Sequence, residues 1–98
     1  MEFDTALRYD LPVICIVGND ARWNAEYQIQ LRSYGSDRLV GCELLPTRYD
    51  TVAQALGCHG EYVQRAEELL PAVKRSIESG LPACINLSNE GAEAPIFR

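Results

Sequence analysis

The sequence lacks any apolar run long enough to cross a membrane. Its longest run, Leu11 to Val17, has the length of a strand, whereas a membrane-spanning helix needs about 20 residues. The N-terminus is acidic from Glu2 onward and does not have the basic and apolar blocks of a signal peptide. We therefore predict a protein without membrane association.

Basic residues are also few. The chain has 9 Lys and Arg against 14 Asp and Glu, which gives a net charge of -5 at pH 7. A nucleic-acid-binding surface would require a clustered excess of positive charge. The composition therefore disfavours a nucleic-acid partner.

Side chains that bind transition metals are scarce. His59 is the single histidine, and the four cysteines (Cys15, Cys42, Cys58 and Cys84) show no C-x-x-C spacing. Cys58 and His59 are adjacent, but with Cys42 they match no zinc-binding pattern. Cys15 and Cys84 lie in the two most apolar runs, where a free thiol acts as a small hydrophobic side chain. We predict four reduced cysteines and a cytoplasmic protein.

The pattern of apolar residues predicts alternating helices and strands. In the first half, helical spacing in "EFDTALRY" predicts a short helix, "VICIV" predicts a strand buried on both faces, and an aromatic stripe predicts a second helix. That stripe consists of Trp23, Tyr27, Leu31 and Tyr34. It is typical of core packing, although a helix that covers a ligand would show the same pattern.

The second half continues the alternation. "YDTVAQALG" predicts a helix that Gly57 terminates, "HGEYV" a short strand, and "AEELLPAVKRSIESG" a helix that ends at Gly80. The apolar stripe of this last helix is predicted to be Leu69, Leu70, Val73 and Ile77. "LPACINLS" predicts a second buried strand. The fold class is therefore α/β, with a mostly parallel sheet of about three strands between layers of helices.

Gly18, Asn19 and Asp20 follow the first predicted strand directly. Ligands of parallel sheets bind beyond the carboxyl ends of the strands, and amide and carboxylate oxygens suit Mg²⁺ or Ca²⁺. Asn and Asp at this position are equally typical of a turn or a helix cap. Both interpretations remain open from these residues alone.

Four segments and their order resemble a known family. "ALRYDLPVICIVGNDARWN", "YDTVAQALGCHGEYV", "EELLPAVKRSIESGLPACINL" and a closing "AP" are similar to the C-terminal domain of thiamine-diphosphate-dependent enzymes. The group that it resembles most contains acetolactate synthase, benzoylformate decarboxylase and oxalyl-CoA decarboxylase. The resemblance covers essentially the whole chain, residues 1–98, as a single but partial domain.

The resemblance implies a cofactor and its ligands. In this family, a Gly-Asp-Gly motif and a later Asn-Asn motif hold Mg²⁺ on the cofactor diphosphate. Asn19 corresponds to the metal-binding Asn, Ala21 to the residue that donates a backbone carbonyl, and Gly18 occupies the position of the first Asn. Asp20 lies between the two ligands, and Trp23 begins the segment expected to fold over the cofactor.

The resemblance also implies that the site is incomplete. The 18 residues before Asn19 contain no Gly-Asp-Gly, and the glutamate that activates the cofactor comes from another domain in this family. We therefore expect the chain to have no catalytic residue of its own and no activity when isolated. Its expected partners are thiamine diphosphate, Mg²⁺ and other domains or subunits of a homo-oligomeric lyase or transferase.

The sequence also permits two other interpretations. A stand-alone α/β module that dimerises or docks to a partner, without catalysis, is the main alternative. Glu67 and Glu68 are paired carboxylates, but they begin the strongest predicted helix, where acidic side chains interact favourably with the helix dipole. They therefore indicate a solvated first turn better than an acid–base pair.

Overall fold

The structure, a computed structural model, describes residues 1–95. Within that range the helices are α1 (Glu2–Arg8), α2 (Asn24–Tyr34), α3 (Tyr49–Ala55) and α4 (Ala66–Ser79). The strands are β1 (Ile14–Asn19), β2 (His59–Val63) and β3 (Ala83–Ser88). The predicted order of helices and strands is confirmed. The last three residues of the predicted polar tail lie outside the described residues.

The chain forms two compact units. The first consists of residues 1–18 and 48–88, and the second of residues 19–47 with the segment that begins at Asn89. None of the helices within residues 1–95 is both long enough and apolar enough to span a bilayer.

The first unit is built on a three-stranded parallel sheet with the order β1-β3-β2. Strand β2 pairs with β3 from His59 opposite Ala83 to Val63 opposite Leu87. On the other edge of β3, the Ala83 N–H donates a hydrogen bond to the Val13 carbonyl at 2.9 Å. The predicted parallel sheet is therefore confirmed.

Burial differs sharply between the two apolar strands. In β3, Ala83, Cys84 and Ile85 are at most 1% exposed. In β1, Ile16 is 48% exposed and Cys15 is also exposed. The prediction that "VICIV" is buried on both faces was wrong for the residues that the structure describes. The reason is the strand order, because β3 has a neighbour on each edge and β1 has only one.

Helices cover both faces of the sheet. On one face, Ala53 of α3, Cys58 and Cys84 form a buried cluster against apolar side chains of α1 and against Leu56, which follows α3. On the other face, Val63, Ala72 and Ile85 form a second cluster with residues of α4. This arrangement is a three-layer α/β fold.

Helix α4 packs on the sheet with a different face from the predicted one. The residues nearest the sheet follow i, i+3, i+4, i+7 spacing: Leu69, Ala72, Val73 and Ser76. Leu70 and Ile77 are 63% and 64% exposed, so assigning them to the packed stripe was wrong. The small side chains of Ala72 and Ser76 allow close approach to the strands, and the Ser76 hydroxyl donates to the Ala72 carbonyl at 2.8 Å.

A buried carboxylate organises the start of α3. Asp50 is only 2% exposed, and Arg48 donates to its two oxygens at 2.9 and 2.7 Å. The Arg48 hydrogen bonds hold the pKa of Asp50 below its ordinary value of 3.8, and a hydrogen bond from Asn86 of β3 acts in the same direction. The Arg48 guanidinium also stacks 3.7 Å from the centre of the Tyr62 ring. These contacts connect α3 to both β2 and β3.

The second unit contains α2 and an extended loop. Gln30 of α2 fixes the loop, because its side chain accepts from the Val40 N–H at 2.7 Å and donates to the Val40 carbonyl at 3.1 Å. An isolated antiparallel bridge joins Arg22 to Glu43. Helix α2 itself has no buried residue among its side chains.

Candidate functional site

Two consecutive side-chain turns follow β1. The Asn19 Oδ1 accepts a hydrogen bond from the Ala21 N–H at 3.1 Å, and the Asp20 Oδ1 accepts one from the Arg22 N–H at 3.1 Å. Asn and Asp favour this local geometry because their short side chains reach the backbone two residues ahead. The turn interpretation of Asn19 and Asp20 is therefore confirmed. It does not exclude a ligand role, since each oxygen has more than one lone pair.

The other end of the Asn19 amide is fixed as well. Its Nδ2 donates to the Thr47 carbonyl at 2.8 Å, 28 residues further along the chain. Because a carbonyl only accepts, this contact determines which end of the amide is nitrogen and which is oxygen. Asn19 Oδ1 is thereby held on the side of Ala21.

Ala21 has an unusual backbone conformation. Its φ is 55°, in the left-handed region that is unfavourable for residues with a Cβ. Hydrogen bonds hold it there: its N–H donates to Asn19, and its carbonyl accepts from the Leu44 N–H at 2.7 Å. Backbone strain at a position fixed by its surroundings is a frequent property of binding sites.

In the sequence, Gly18 precedes this turn and Trp23 follows it. Gly18 is within β1, which continues to Asn19, so the turn begins one residue later than the glycine. Trp23 is the N-cap residue of α2, and its N–H donates to the Cys42 carbonyl at 2.8 Å. Trp23 is 60% exposed, so it is not packed in the core.

A polar cleft adjoins the turn within the second unit. It has a volume of about 340 Å³, and its lining residues are Asp20, Arg22, Asn89, Glu90 and Gly91. Sequence reasoning missed Asn89, Glu90 and Gly91. The signal was available, because these residues follow β3 just as Asn19 ends β1, and both strand ends are positions where ligands bind.

Gly91 makes a close approach in this cleft. A Cβ added to it would lie 2.7 Å from Asn24 Oδ1 and 3.1 Å from Asp20 Oδ2. The Asn89 N–H donates to the Asn19 carbonyl at 3.1 Å, which fixes the start of the same segment. The positive charge of the cleft comes from Arg22, whose guanidinium lies 4.1 Å from the centre of the Tyr27 ring.

The oxygens at the turn are of the chemical type that Mg²⁺ prefers. Mg²⁺ prefers oxygen ligands, with one or two carboxylates supplemented by substrate phosphates and water. Asn19 Oδ1 and the Ala21 carbonyl are neutral oxygens on one tight turn, and Asp20 is the adjacent carboxylate. Among residues 1–95, no group of three His, Cys, Asp or Glu side chains is placed to hold a metal.

The fold and the turn together define a class of protein: a three-layer α/β domain with polar loops at its strand ends. Within that class, the family described as "Thiamine pyrophosphate enzyme, C-terminal TPP binding domain" matches residues 1–87. The chain belongs to this family. The resemblance drawn from the sequence is therefore confirmed, and the family's cofactor is thiamine diphosphate, also called thiamine pyrophosphate.

Similar proteins include several longer enzymes. The chain is 42% identical over 95 residues to a probable acetolactate synthase of Mycobacterium bovis, covering 96% of this chain and 17% of that protein. It is 39% identical over 84 residues to 2-hydroxyacyl-CoA lyase 2 of Caenorhabditis elegans, covering 86% and 12%. It is 35% identical over 78 residues to sulfoacetaldehyde acetyltransferase of Alcaligenes xylosoxydans xylosoxydans, covering 80% and 13%. The chain thus spans less than a fifth of each relative.

Proposed function

We propose that this chain is the thiamine-diphosphate- and Mg²⁺-binding C-terminal portion of an acetolactate synthase-like enzyme that acts on 2-oxo acids. The reaction class is decarboxylation followed by carbon–carbon bond formation or by release of the product. Family membership supports the cofactor, and the names of the relatives support the reaction class.

The observation that carries the proposal is the fixed turn from Asn19 to Ala21. The Asn19 side-chain oxygen and the Ala21 carbonyl are the proposed metal ligands, and Gly18 and Trp23 are proposed to flank the cofactor. Hydrogen bonds from Ala21 and Leu44 and to Thr47 define the position of both oxygens before a metal binds. Such prior organisation reduces the ordering cost of binding.

The cofactor supplies the carbanion chemistry when it is bound. The residues of this chain position it: Asn19 and Ala21 bind the metal that holds the diphosphate, and Asp20 adds negative charge beside that metal. Trp23, the N-cap residue of α2, follows the turn and is 60% exposed, as a residue that covers a bound cofactor would be.

The remaining ligands would come from outside this sequence. Two neutral oxygens and one neighbouring carboxylate leave the coordination of Mg²⁺ incomplete. We therefore propose that the isolated chain is inactive and works with other domains or subunits in a homo-oligomer. Exposed apolar side chains on α2, such as Ile29 at 52%, favour such contacts. We also propose a cytoplasmic location, since none of the four cysteines is paired in the structure and unpaired thiols are typical of reducing compartments.

The proposal is tested by exchange of the matching segment. The 95 aligned residues of the mycobacterial relative are replaced by those of this chain, and retention of thiamine diphosphate and acetolactate formation are measured. We expect the hybrid to retain cofactor and activity. Asn19→Ala in the hybrid should weaken Mg²⁺-dependent cofactor binding by at least about tenfold. The control Gln64→Ala removes an amide distant in sequence and should have no effect.

Two outcomes would reject the proposal. Unchanged cofactor binding by the Asn19→Ala hybrid would remove Asn19 from the metal site. A folded hybrid that neither retains the cofactor nor forms product would favour the alternative, a non-enzymatic module that docks to a partner.

A further inference from the structure

Cys15 and Cys84 face each other on neighbouring strands. In a parallel sheet, a residue whose N–H points toward the neighbouring strand donates to the carbonyl of the residue just before the one that it faces. The pair of His59 and Ala83 shows this relation, because the His59 N–H donates to the Pro82 carbonyl at 2.9 Å. The Ala83 N–H donates to the Val13 carbonyl in the same way, so Ala83 faces Ile14. The next pair along β1 and β3 is Cys15 and Cys84.

The two thiols lie on the same face of the sheet but differ in access to solvent. Cys84 is 1% exposed and belongs to the cluster that also contains Ala53 and Cys58. Cys15 is exposed and lines a cleft of about 220 Å³ together with Glu2, Phe3 and Val13. Burial raises the pKa of the Cys84 thiol to about 11, and the proximity of Cys15 contributes to the same shift.

We propose that Cys15 and Cys84 form a reversible redox pair, in which hydroperoxides oxidise Cys15 and Cys84 then closes a disulfide between β1 and β3. Facing residues of adjacent strands are separated by about 5 Å between Cα atoms, within the range that disulfides span. The two cysteines lie in the first unit, and their pairing involves neither Asn19 nor the cofactor.

The proposed chemistry has two balanced steps. First, the Cys15 sulfur attacks the peroxide, the O–O bond breaks, and Cys15 becomes a sulfenic acid while water or an alcohol leaves. Second, the Cys84 sulfur attacks the Cys15 sulfur, the S–O bond breaks, and the Cys84 proton leaves with the hydroxyl group as water. The peroxide is reduced and the two thiols are oxidised. Two molecules of a small thiol such as glutathione reverse the change: the first opens the disulfide as a mixed disulfide, and the second releases the cysteine and leaves with the first as an oxidised dimer.

The other two cysteines differ from this pair in position. Cys58 is buried, and its thiol donates to the Phe3 carbonyl at 3.7 Å. Cys42 is buried in the second unit, where its thiol donates to Gln30 Oε1 at 3.8 Å. Neither has the solvent access of Cys15. Cys42→Ser is therefore the matched control for Cys15→Ser.

The test is mass spectrometry of the full chain after treatment with hydrogen peroxide. Each cysteine lies in a separate tryptic peptide, which makes any pairing identifiable: 9–22, 39–48, 49–65 and 76–98. We expect peptides 9–22 and 76–98 to become joined in the wild type and in Cys42→Ser, and to separate again on reduction. In Cys15→Ser the joined peptide should be absent. A probe for sulfenic acid should label Cys15 before any other cysteine.

Several results would overturn the proposal. These are a disulfide between Cys58 and Cys84, oxidation of Cys15 beyond sulfenic acid without pairing, and equal labelling of all four cysteines. Because Cys15 is exposed, Cys15→Ser is expected to fold. Differential alkylation of the unmodified chain gives the same information without any variant.

Discussion

Asn19 and Thr47 are joined by a hydrogen bond of 2.8 Å from the side-chain amide of Asn19 to the main-chain carbonyl of Thr47. This contact gives the Asn19 amide one orientation, with its oxygen at the Ala21 N–H. The proposed metal ligand is therefore organised by a segment that is distant in sequence. That segment supplies a backbone group, so its side chains do not reveal the role.

The first prediction concerns Asn19→Asp. The variant keeps an oxygen for the Ala21 N–H, but it places a second oxygen against the Thr47 carbonyl, where no hydrogen bond forms. We expect the free energy of unfolding to fall by about 1–2 kcal/mol, measured by urea denaturation. The control is Gln64→Glu. The side-chain partner of Gln64 is the Tyr62 hydroxyl, which can donate as well as accept, so a carboxylate at residue 64 keeps a hydrogen bond. Equal stability of Asn19→Asp and wild type would show that the hydrogen bond from Asn19 to Thr47 does not stabilise the chain.

The second prediction concerns the buried carboxylate of Asp50. Its pKa in the folded chain is lower than the ordinary 3.8, so its ionised form stabilises the fold above that pH. This stabilisation is lost as the pH falls through the lower folded pKa. Asp50→Asn should therefore reduce the free energy of unfolding by about 2 kcal/mol at neutral pH. The difference from wild type should shrink progressively in acid.

The measurement for Asp50 is chemical denaturation at several pH values, from neutral to about pH 3. Asp37→Asn is the control, because Asp37 is an exposed acid on the short turn Ser36–Arg38. If the stability difference between Asp50→Asn and wild type does not change with pH, the ionised Asp50 does not stabilise the fold through its pair with Arg48.

The third prediction concerns Gly60. A Cβ at this position would overlap the Asp50 carbonyl oxygen and would lie 2.8 Å from Gln54 Cγ. Gly60→Ala should therefore destabilise the chain by about 2 kcal/mol or more through overpacking of α3 against β2. Gly80→Ala is the comparison, since a Cβ there meets no atom within 4 Å and only the φ of 66° is unfavourable. In thermal unfolding, Gly80→Ala should have a higher melting temperature than Gly60→Ala. The opposite order would show that α3 and β2 are not packed as closely at Gly60 as the structure indicates.

The fourth prediction follows from the proposed redox pair. A disulfide between residues 15 and 84 closes a long loop, which in the chain-entropy description adds about 4 kcal/mol to stability. The oxidised chain should therefore melt at a higher temperature than the reduced chain. Cys15→Ser should show no such difference between oxidised and reduced samples. A lower melting temperature on oxidation would mean that the disulfide distorts the sheet.

Much of the fold could be predicted because local signals were strong. Strand β2 was predicted as "HGEYV" and runs from His59 to Val63. Gly57 and Gly80 follow their helices with φ of 93° and 66°, the left-handed conformation expected of such glycines. These features depend on neighbouring residues alone, and the sequence displays them directly.

Features that depend on tertiary packing could not be predicted. The sequence does not state that β3 lies between β1 and β2, so the greater exposure of β1 was missed. On α4, Leu70 and Ile77 have more apolar surface than Ala72 and Ser76, yet the smaller residues face the sheet. Hydrophobicity predicted a stripe, but the space available between helix and strands determined which face is packed.

The candidate site likewise has features that the sequence predicts and features that depend on tertiary contacts. Asn19 and Asp20 were identified because they follow a strand, and their turn was one of the two interpretations kept. The Thr47 and Leu44 contacts were not identified, because both are made by main-chain groups. The proposed ligand roles of Asn19 and Ala21 stay predictions until a metal is bound.

The most direct test of the central claim uses Mn²⁺ as a paramagnetic substitute for Mg²⁺, since both prefer oxygen ligands. Because the remaining metal ligands would come from outside this sequence, nuclear magnetic resonance is recorded on the hybrid with the mycobacterial relative, isotope-labelled in the exchanged segment, with Mn²⁺ alone and with Mn²⁺ plus thiamine diphosphate. We predict that thiamine diphosphate increases the broadening of signals from Asn19, Ala21 and Arg22, and that Asn19→Ala abolishes this increase. The Gln64 side-chain signal serves as the unaffected reference. The same broadening in the Asn19→Ala hybrid, or none at these residues in the unsubstituted hybrid, would contradict a metal–diphosphate site at this turn.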